Sequence, residues 1–310
     1  MKKMRGLLAL VLMSVLLATT VVACGSKGSD EEVAKASAAT EATAESAASD
    51  TESDTETSEL LKTIKERGYI VIGSSNDAPF SYQDVSTGEL AGIDIEILEE
   101  ICARLGIAEI EMKVIDFSNL LVELNNQNID MVVDAMYVKD ERLQIAAFTN
   151  KWYQEGETIV IPTDSEITSK EDLKDKSLGA QPGTTFYETA EGWLNEGRIG
   201  ELVAYDNQAT LMTAVNMGQV DAIITDGIVA GFTLSSDSAL ALKLLTPYAQ
   251  EASGKIGSAV RFEDIAFVEE VNTVLDEMKS DGTLMGILKD YGLNEDYFVD
   301  IADGVTINIK

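Results

Sequence analysis

Histidine is absent from all 310 residues of this chain, and cysteine occurs only twice. The sequence therefore lacks the commonest general acid, general base and metal ligand of proteins. Cys102 falls on the apolar side of a predicted helix, where a thiol is expected to be buried and unreactive. No nucleophile elbow, phosphate-binding loop or zinc-ligand spacing is present. These absences disfavour catalysis and predict that the protein uses neither a cofactor nor a metal.

Basic residues are also scarce, with 23 Lys and Arg against 54 Asp and Glu, which gives a formal net charge of −31. Such a chain repels phosphates, so we expect no nucleic acid partner. An anionic membrane surface is disfavoured as a direct docking site for the same reason. A small cationic ligand, in contrast, would be attracted by the field of the protein.

After the N-terminal region, no segment of the chain offers about 20 consecutive apolar residues, which is the length that a membrane-spanning helix needs. Residues 1–23 combine three bases, a short apolar run and small residues before Cys24, which is the pattern of a secretory signal. The setting of Cys24 resembles a bacterial lipoprotein signal, in which this cysteine becomes the first mature residue and receives the lipid. An ordinary secretory peptide with an incidental cysteine is the alternative. We expect a lipid on Cys24 to anchor the protein at the extracytoplasmic face of the cell membrane.

Residues 24–59 contain no aromatic side chain and are rich in Ser, Ala, Thr and acids. They cannot bury enough apolar surface to offset the entropy of ordering, so we predict a disordered acidic tether. The folded part then begins near residue 60. Its length, roughly 250 residues, suits two lobes better than one core.

The folded part alternates apolar strands with amphipathic helices, a pattern typical of α/β units with a largely parallel sheet. Ser118 is predicted to cap one of these helices, and Ser169 another. The predicted strands cover residues 69–73, 111–115, 129–133, 159–161, 177–181 and 220–225. The predicted helices cover residues 92–105, 119–124, 170–173, 185–194, 208–217, 264–279 and 283–291.

Residues 120–134 and 211–226 resemble each other. Each segment reads as a helix, a polar turn and a strand, with one Asp before the strand and a second Asp near its end. Any helix–turn–strand unit shares part of this pattern. Because ligands bind at the carboxyl ends of strands in open α/β sheets, the repeat predicts two similar lobes with Asp134 and Asp226 near a site.

Several short motifs follow one another along residues 60–293. They are Ala78-Pro79-Phe80, Gly88–Ile95, Asp140-Glu141-Arg142, Gly179–Thr185, Asp221–Asp226 and Lys279–Leu284. Their order and spacing resemble family 3 of the extracellular solute-binding proteins, the amino-acid-binding lipoproteins of ABC transporters. The resemblance implies an α/β, two-lobed periplasmic-binding-protein-like fold of type II with a hinge. It assigns residues 60–154 and 249–310 to lobe 1 and residues 155–248 to lobe 2.

The resemblance also implies how the protein works. It implies a monomer without enzymatic activity, which closes a cleft over a free amino acid and delivers it to an ABC transporter permease. A sensory module for a separate membrane receptor is the alternative, and a dehydratase-like enzyme on the same fold is a more remote one.

Four residues match ligand-binding positions of the family. Arg142 matches the arginine that binds the ligand carboxylate, for which a planar guanidinium is suited because it donates two parallel hydrogen bonds. Thr184 and Thr185 stand at a predicted helix start, where free N–H groups favour an anion. Asp226 matches the carboxylate that binds the ligand ammonium. The alternatives are a surface arginine for Arg142 and simple helix capping for the threonines.

Aromatic residues complete the implied pocket, and the segment from Asp134 to Tyr137 departs from the family pattern. Phe80 and Phe117 are implied to line it, although Phe117 could equally serve core packing. The family often has small or hydroxyl residues where this chain has Asp134, Ala135 and Tyr137, so Ala135 is left with backbone contacts only.

Asp77 also departs from the family pattern, because it replaces a frequent aromatic residue. Asp77 and Asp134 would repel each other in one pocket unless a cation lies between them. We therefore predict a cationic or strongly polar amino acid, such as lysine, arginine or ornithine. The alternative is that one or both carboxylates point to solvent.

Overall fold

The structure is a computed structural model that describes residues 57–309. The predicted signal segment, Cys24 and the predicted tether up to residue 56 lie outside the described residues. Ordered structure begins slightly before the predicted boundary, because the Ser58 hydroxyl accepts a hydrogen bond from the Leu61 N–H at 3.2 Å and caps the first helix. Ser58 also donates to Glu270, which ties this helix start to the C-terminal part of the chain.

Residues 57–309 form alternating helices and strands, and no helix among them is both long and apolar enough to cross a bilayer. The helices are α1 (Glu59–Arg67), α2 (Ile93–Leu105), α3 (Leu120–Asn125), α4 (Asp140–Leu143), α5 (Thr185–Asn195), α6 (Gln208–Asn216), α7 (Gly227–Ser236), α8 (Ile265–Asp281), α9 (Thr283–Asp290) and α10 (Ile301–Gly304). The strands are β1 (Tyr69–Ser74), β2 (Tyr82–Gln83), β3 (Leu90–Ala91), β4 (Glu109–Val114), β5 (Met131–Val132), β6 (Ala147–Phe148), β7 (Gln154–Pro162), β8 (Ser177–Ala180), β9 (Glu201–Ala204), β10 (Ala222–Asp226), β11 (Leu242–Leu244), β12 (Ser253–Lys255) and β13 (Ala259–Val260).

One sheet has the strand order β4-β1-β5-β13-β6. Its strands β4, β1 and β5 are parallel, whereas β13 runs antiparallel to both β5 and β6. Helices α2, α8 and α9 pack together, and apolar side chains such as Ile97, Ile101 and Leu275 are buried in the core between these elements. The C-terminal part of the chain thus returns to the sheet formed by the first part.

The second sheet has the order β11-β7-β10-β8-β9. Strands β9, β8 and β10 are parallel, and β7 is antiparallel to β10 and β11. Because β6 is antiparallel only to β13, and β11 only to β7, these two strands run in the same direction as the parallel ones. The prediction of a largely parallel sheet is therefore correct except for one reversed strand in each sheet, β13 and β7. The alternation of helices and strands along the chain does not show the direction of a strand when its pairing partner is distant in sequence.

The chain passes between the two sheets twice. The first passage leads from β6 into β7, and the second leads from β11 through β12 to β13. The passages lie side by side, because β12 pairs with the start of β7, with Ser253 opposite Gly156. They run close to the predicted boundaries, and we use lobe 1 for residues 57–154 and 249–309 and lobe 2 for residues 155–248.

Most predicted elements are found within a few residues of their predicted bounds, with three corrections. Ser118 does not cap a helix, because a 3₁₀ turn covers Phe117–Asn119 and α3 starts only at Leu120. The segment Lys170–Leu173 is a 3₁₀ helix, although Ser169 does form the predicted cap with Asp172. Strand β7 spans nine residues rather than three, because its first residues also pair with β12.

Candidate functional site

A cavity lies between the lobes, where the carboxyl ends of strands from both sheets face each other. Its lining comprises Asp77, Phe80, Phe117, Asp134, Ala135, Tyr137, Arg142, Gln181, Thr184, Thr185, Phe186, Gln208 and Asp226. All ten residues predicted as ligand contacts are brought together here, and their contact with a ligand stays a prediction. Sequence reasoning missed Gln181, Phe186 and Gln208.

The backbone places these side chains at the ends of regular elements. Asp77 follows β1, Asp134 follows β5, and Asp226 is the last residue of β10. The two segments that resemble each other in sequence are built alike. The first Asp of each, Asp130 or Asp221, accepts the N–H of the neighbouring strand at 2.8 Å, and the second Asp reaches the cavity. Each of the two similar segments therefore places an Asp at a strand end, one on either side of the cavity.

Arg142 is a buried cation, with only 6% of the residue exposed. Its guanidinium donates to the carbonyl oxygens of Tyr137 at 2.8 Å and Gly183 at 2.9 Å, and it lies 5.5 Å from the centre of the Phe117 ring. Burial lowers its pKa to about 10. Within the described part of the chain Arg142 forms no ion pair. A buried charge without a counter-ion is costly, so this position favours an anionic ligand group.

The start of α5 borders the same end of the cavity. Thr184 caps the helix, since its hydroxyl accepts the Tyr187 N–H at 3.1 Å and donates to the Gln181 carbonyl at 2.7 Å. The Thr185 hydroxyl is buried and has no partner among residues 57–309. Thr184 thus fits the capping alternative, whereas Thr185 and the free N–H groups of the helix start remain open to an anion.

Asp77 and Asp134 lie on the lobe 1 side of the cavity, and their carboxylates carry the opposite charge to Arg142. They are 7% and 3% exposed, so the alternative that they point to solvent is wrong. Burial raises the pKa of Asp77 to about 6, with a further contribution from the negative charge of Asp226. Burial and the neighbouring Asp77 also raise the pKa of Asp134 well above its usual range. Together they make an acidic wall that repels itself unless a cation or protons compensate it.

A second acidic pair joins the lobe 2 wall to the first passage. Burial raises the pKa of Asp226, and burial together with Asp226 raises the pKa of Glu155 in β7 well above its usual range. Glu155 accepts the Tyr137 hydroxyl through Oε1 at 3.1 Å, while Oε2 is buried and has no hydrogen-bond partner among residues 57–309. Two neighbouring buried carboxyl groups repel each other when both are ionised, so the pair favours a state in which one of them is protonated.

The two lobes contact each other directly around the cavity. Arg142 reaches the carbonyl of Gly183, as described above, and Lys139 forms an ion pair with Glu188 at 2.6 Å. The rings of Tyr137 and Phe186 meet edge to face at 5.6 Å between centroids. These contacts hold the cleft narrow.

The residues that sequence reasoning missed form an amide bridge. Gln208 donates to the Gln181 side-chain oxygen at 2.7 Å and to Asp226 at 3.3 Å. Gln181 in turn donates to Asp77 across the cleft at 3.4 Å. Gln181 directly follows β8 and Gln208 begins α6, so a search for polar residues at every strand end would have found the first of them.

Asp94 is a further residue that supports the site without lining it. It is fully buried in α2 and accepts the Ala135 N–H and the Tyr153 hydroxyl, both at 2.7 Å. Ala135 has φ +46°, a left-handed conformation that is unfavourable for alanine. The hydrogen bond that the Ala135 N–H donates to Asp94 stabilises this conformation and thereby holds the loop between Asp134 and Tyr137 in place.

The buried acids predict an unusual pH dependence of stability. Burial raises the pKa of Asp77 and Asp94 from the ordinary value of 3.8 to about 6. The folded protein therefore binds more protons than the unfolded chain between these values, and the free energy of unfolding rises as pH falls through 6. We expect the ligand-free protein to gain roughly 1 kcal/mol for each group between pH 7 and pH 5.

Urea unfolding of the ligand-free protein at both pH values measures this effect. Asp94→Asn should remove roughly 1 kcal/mol of the gain, whereas Glu109→Gln, at an exposed position, should keep all of it. The low pKa of Glu251, about 2, affects only more acidic solutions. A free energy of unfolding that falls between pH 7 and pH 5 would contradict the assignment.

Comparisons with known proteins agree with this geometry. The sequence profile of the bacterial extracellular solute-binding proteins, family 3, matches residues 70–294. The L-cystine-binding protein TcyJ of Escherichia coli is 29% identical over 74% of this chain and 84% of its own length. The glutamine-binding protein GlnH of Bacillus subtilis is 28% identical over 92% and 97%. An ancestral arginine-binding protein, solved with arginine, superposes with a TM-score of 0.66 at 29% identity over 73% of this chain and 98% of its own. The predicted two-lobed α/β fold is thereby confirmed.

Proposed function

The chain belongs to the bacterial extracellular solute-binding proteins of family 3, and from this membership we propose that it captures a free basic amino acid and delivers it to an ABC importer. Its relatives are named as binding proteins for cystine, glutamine and arginine. The choice among such ligands depends on the charges in the cleft.

The observation that carries this proposal is the buried Arg142 guanidinium without an ion pair among residues 57–309, which lines the same cavity as the Asp226 carboxyl group. An amino acid supplies both missing partners, because its carboxylate pairs with Arg142 and its ammonium with Asp226. The Thr185 hydroxyl and the N–H groups of α5 add donors for the same carboxylate. Charge-assisted hydrogen bonds of this kind are stronger than neutral ones and fix the orientation of the ligand.

The acidic wall selects the side chain in this proposal. Once the ligand's two main-chain charges are compensated, Asp77 and Asp134 remain as a negative pair without a base beside them. A guanidinium or ammonium on the ligand side chain would relieve their repulsion, whereas an apolar side chain would leave it in place. We therefore favour arginine, lysine or ornithine over the neutral ligands of some relatives.

Calorimetric titration with each common amino acid at pH 8 tests the proposed function. We expect arginine, lysine or ornithine to bind most tightly, and glutamine at least about 10-fold more weakly, a difference of about 1.4 kcal/mol. Tight binding of leucine, glutamate or cystine with none of the basic amino acids would refute the ligand class.

Closure of the cleft is the proposed means of capture, and Gly183 provides a test of it. Gly183 has φ +83°, and a Cβ added there would lie 2.8 Å from Cα of Ser118 in the other lobe. Because the obstacle is backbone, it cannot swing away. We expect Gly183→Ala to weaken binding of L-arginine at least about 10-fold, because the added Cβ blocks closure of the cleft. The strain of a left-handed alanine costs about 1–2 kcal/mol of stability with or without ligand.

Gly218→Ala is the matched control for closure. Gly218 lies in the same lobe with φ +69°, and an added Cβ would meet no atom within 4 Å. It should lose similar stability but keep its affinity for L-arginine. Small-angle scattering with saturating ligand should show a larger radius of gyration for Gly183→Ala only. Equal affinities of the two variants would contradict a closing cleft.

We further propose that a lipid on Cys24 holds the protein at the outer face of the cell membrane. The support is the small-residue sequence before Cys24 together with the extracellular family. Metabolic labelling with radioactive palmitate tests it: the full chain should be labelled and Cys24→Ser should not be.

A further inference from the structure

Four short oxygen–oxygen contacts join the acidic wall to two serines at the end of β1. Ser75 Oγ lies 2.7 Å from Asp77 Oδ2 and 2.5 Å from Asp134 Oδ2. Ser74 Oγ lies 2.8 Å from Asp134 Oδ1 and 2.8 Å from the carbonyl oxygen of Ser81. We call Asp77, Asp134, Ser74 and Ser75 the acid–serine cluster.

A proton count shows that this cluster is short of hydrogens when both acids are ionised. Each of the four contacts needs one proton to be a hydrogen bond. The two hydroxyl groups supply one proton each, and the Ser81 carbonyl supplies none. In two of the four contacts, oxygen lone pairs would then face each other at hydrogen-bond distance without a proton between them. One proton on Asp77 and one on Asp134 would satisfy all four contacts.

The carboxyl groups around the cluster also favour its protonated form. Asp226, at the end of β10, faces Asp77 and raises its pKa, after burial as the largest cause. Glu155 in β7 has a pKa raised well above its usual range, and the cation of Arg142 in α4 lines the same cavity but donates to carbonyl oxygens instead of Asp77. The donors from lobe 2, the Gln181 amide and the Gln208 N–H, reach Asp77 only at 3.4 Å. Ser75 lies closer, but it has a single hydroxyl proton to share between Asp77 and Asp134.

We propose that the acid–serine cluster holds one proton on Asp77 and one on Asp134 while the cleft is free of ligand, and that Asp77 releases its proton to bulk water when a cationic side chain binds beside it. The O–H bond of the carboxylic acid breaks, its electron pair stays on the carboxylate, and the ligand cation becomes the counter-charge. This inference rests on the proposed function for its class of ligand. It makes the capture of basic amino acids coupled to proton release, so their affinity falls as the solution becomes acidic.

Titration calorimetry with L-arginine in buffers of different ionisation enthalpy measures the released protons. We expect about one proton per L-arginine at pH 5 and almost none at pH 8, because the affected carboxyl titrates near pH 6. The dissociation constant should be about 10-fold higher at pH 5 than at pH 7. Constant affinity and no buffer dependence between pH 5 and pH 8 would overturn the inference.

Asp77→Asn separates the cluster from other titrating groups. Asparagine is the neutral isostere of the protonated acid, and its amide can donate to Ser75 Oγ as the acid does. This variant should bind L-arginine weakly, with equal affinity at pH 5 and pH 7 and without proton release. Glu109→Gln, at the exposed start of β4 and thus at the opposite end of the sheet from the cleft, should behave as the unaltered protein. Full proton release by Asp77→Asn would overturn the assignment of the released proton to Asp77. Failure of both arginine and lysine to bind at any pH would instead refute the proposed function.

Discussion

Replacing Arg142 by alanine is expected to weaken binding of L-arginine at least about 100-fold, or about 2.7 kcal/mol. The guanidinium is buried and lacks an ion pair within residues 57–309, so the ligand carboxylate is its counter-charge in the proposed complex. Losing one member of a buried charge pair typically costs about 2–5 kcal/mol, because the other charge stays desolvated. Calorimetry at pH 8 measures the change.

Two further variants show whether charge or geometry is responsible. Arg142→Lys keeps the charge but cannot donate two parallel hydrogen bonds, so its affinity should fall between the two extremes. Arg198→Ala removes an arginine from a surface ion pair with Glu251 and should leave binding unchanged. An unaltered dissociation constant for Arg142→Ala would refute its role as carboxylate partner.

Replacing Asp77 by asparagine is expected to change specificity rather than to abolish binding. At pH 8 the carboxylate provides charge for a basic side chain, and its loss should weaken binding of L-arginine and L-lysine about 100-fold, or about 2.7 kcal/mol. A neutral ligand such as L-glutamine does not use this charge, so its affinity should change at most about 3-fold, well below 1 kcal/mol. Titration with all three amino acids gives the ratio directly.

Asp84→Asn is the matched control for this substitution. Asp84 is a carboxylate of the same lobe in the exposed loop between β2 and β3, outside the cavity. It should preserve the preference for basic amino acids. If Asp77→Asn weakens all three ligands equally, the residue supports the shape of the pocket and does not select charge.

The fold was largely predictable because its signals are local. Apolar strands such as Tyr69–Ser74 and the amphipathic helix Ile93–Leu105 are visible as runs and periodicities in the sequence. The reversed direction of β13 and β7 was not predictable, because these strands pair with strands that lie far away in sequence. Pairing of that kind depends on long-range packing, which leaves no local trace.

Residues of the site were predictable from the sequence where a charged residue stands at the end of a strand. Asp134 and Asp226 stand out because a polar residue ends a buried apolar run, and Arg142 stands out through the family motif. Gln208 gave no such signal, since a glutamine at a helix start is common on surfaces. Its importance follows only from burial and from its bonds to Gln181 and Asp226 in the folded protein.

Asp94 and Glu155 were missed for a different reason. Each lies within a helix or strand, where an acid is normally solvent-exposed, yet both are buried and hydrogen-bonded to tyrosines. The periodicity of apolar and polar residues does not show that one acid within such a helix or strand is buried. The partners Tyr153 and Tyr137 are near only because the first passage between the lobes runs beside the loop after Asp134.

In the proposed complex, Arg142 on one lobe and Asp226 on the other bind the opposite charges of a zwitterion. Titration of the protein with L-arginine and with agmatine, which is arginine without its carboxylate, measures what the carboxylate contributes. We predict that agmatine binds at least about 100-fold more weakly than L-arginine, a loss of about 2.7 kcal/mol or more. Equal affinity for the two compounds would show that the carboxylate has no partner in the cleft and would contradict the account.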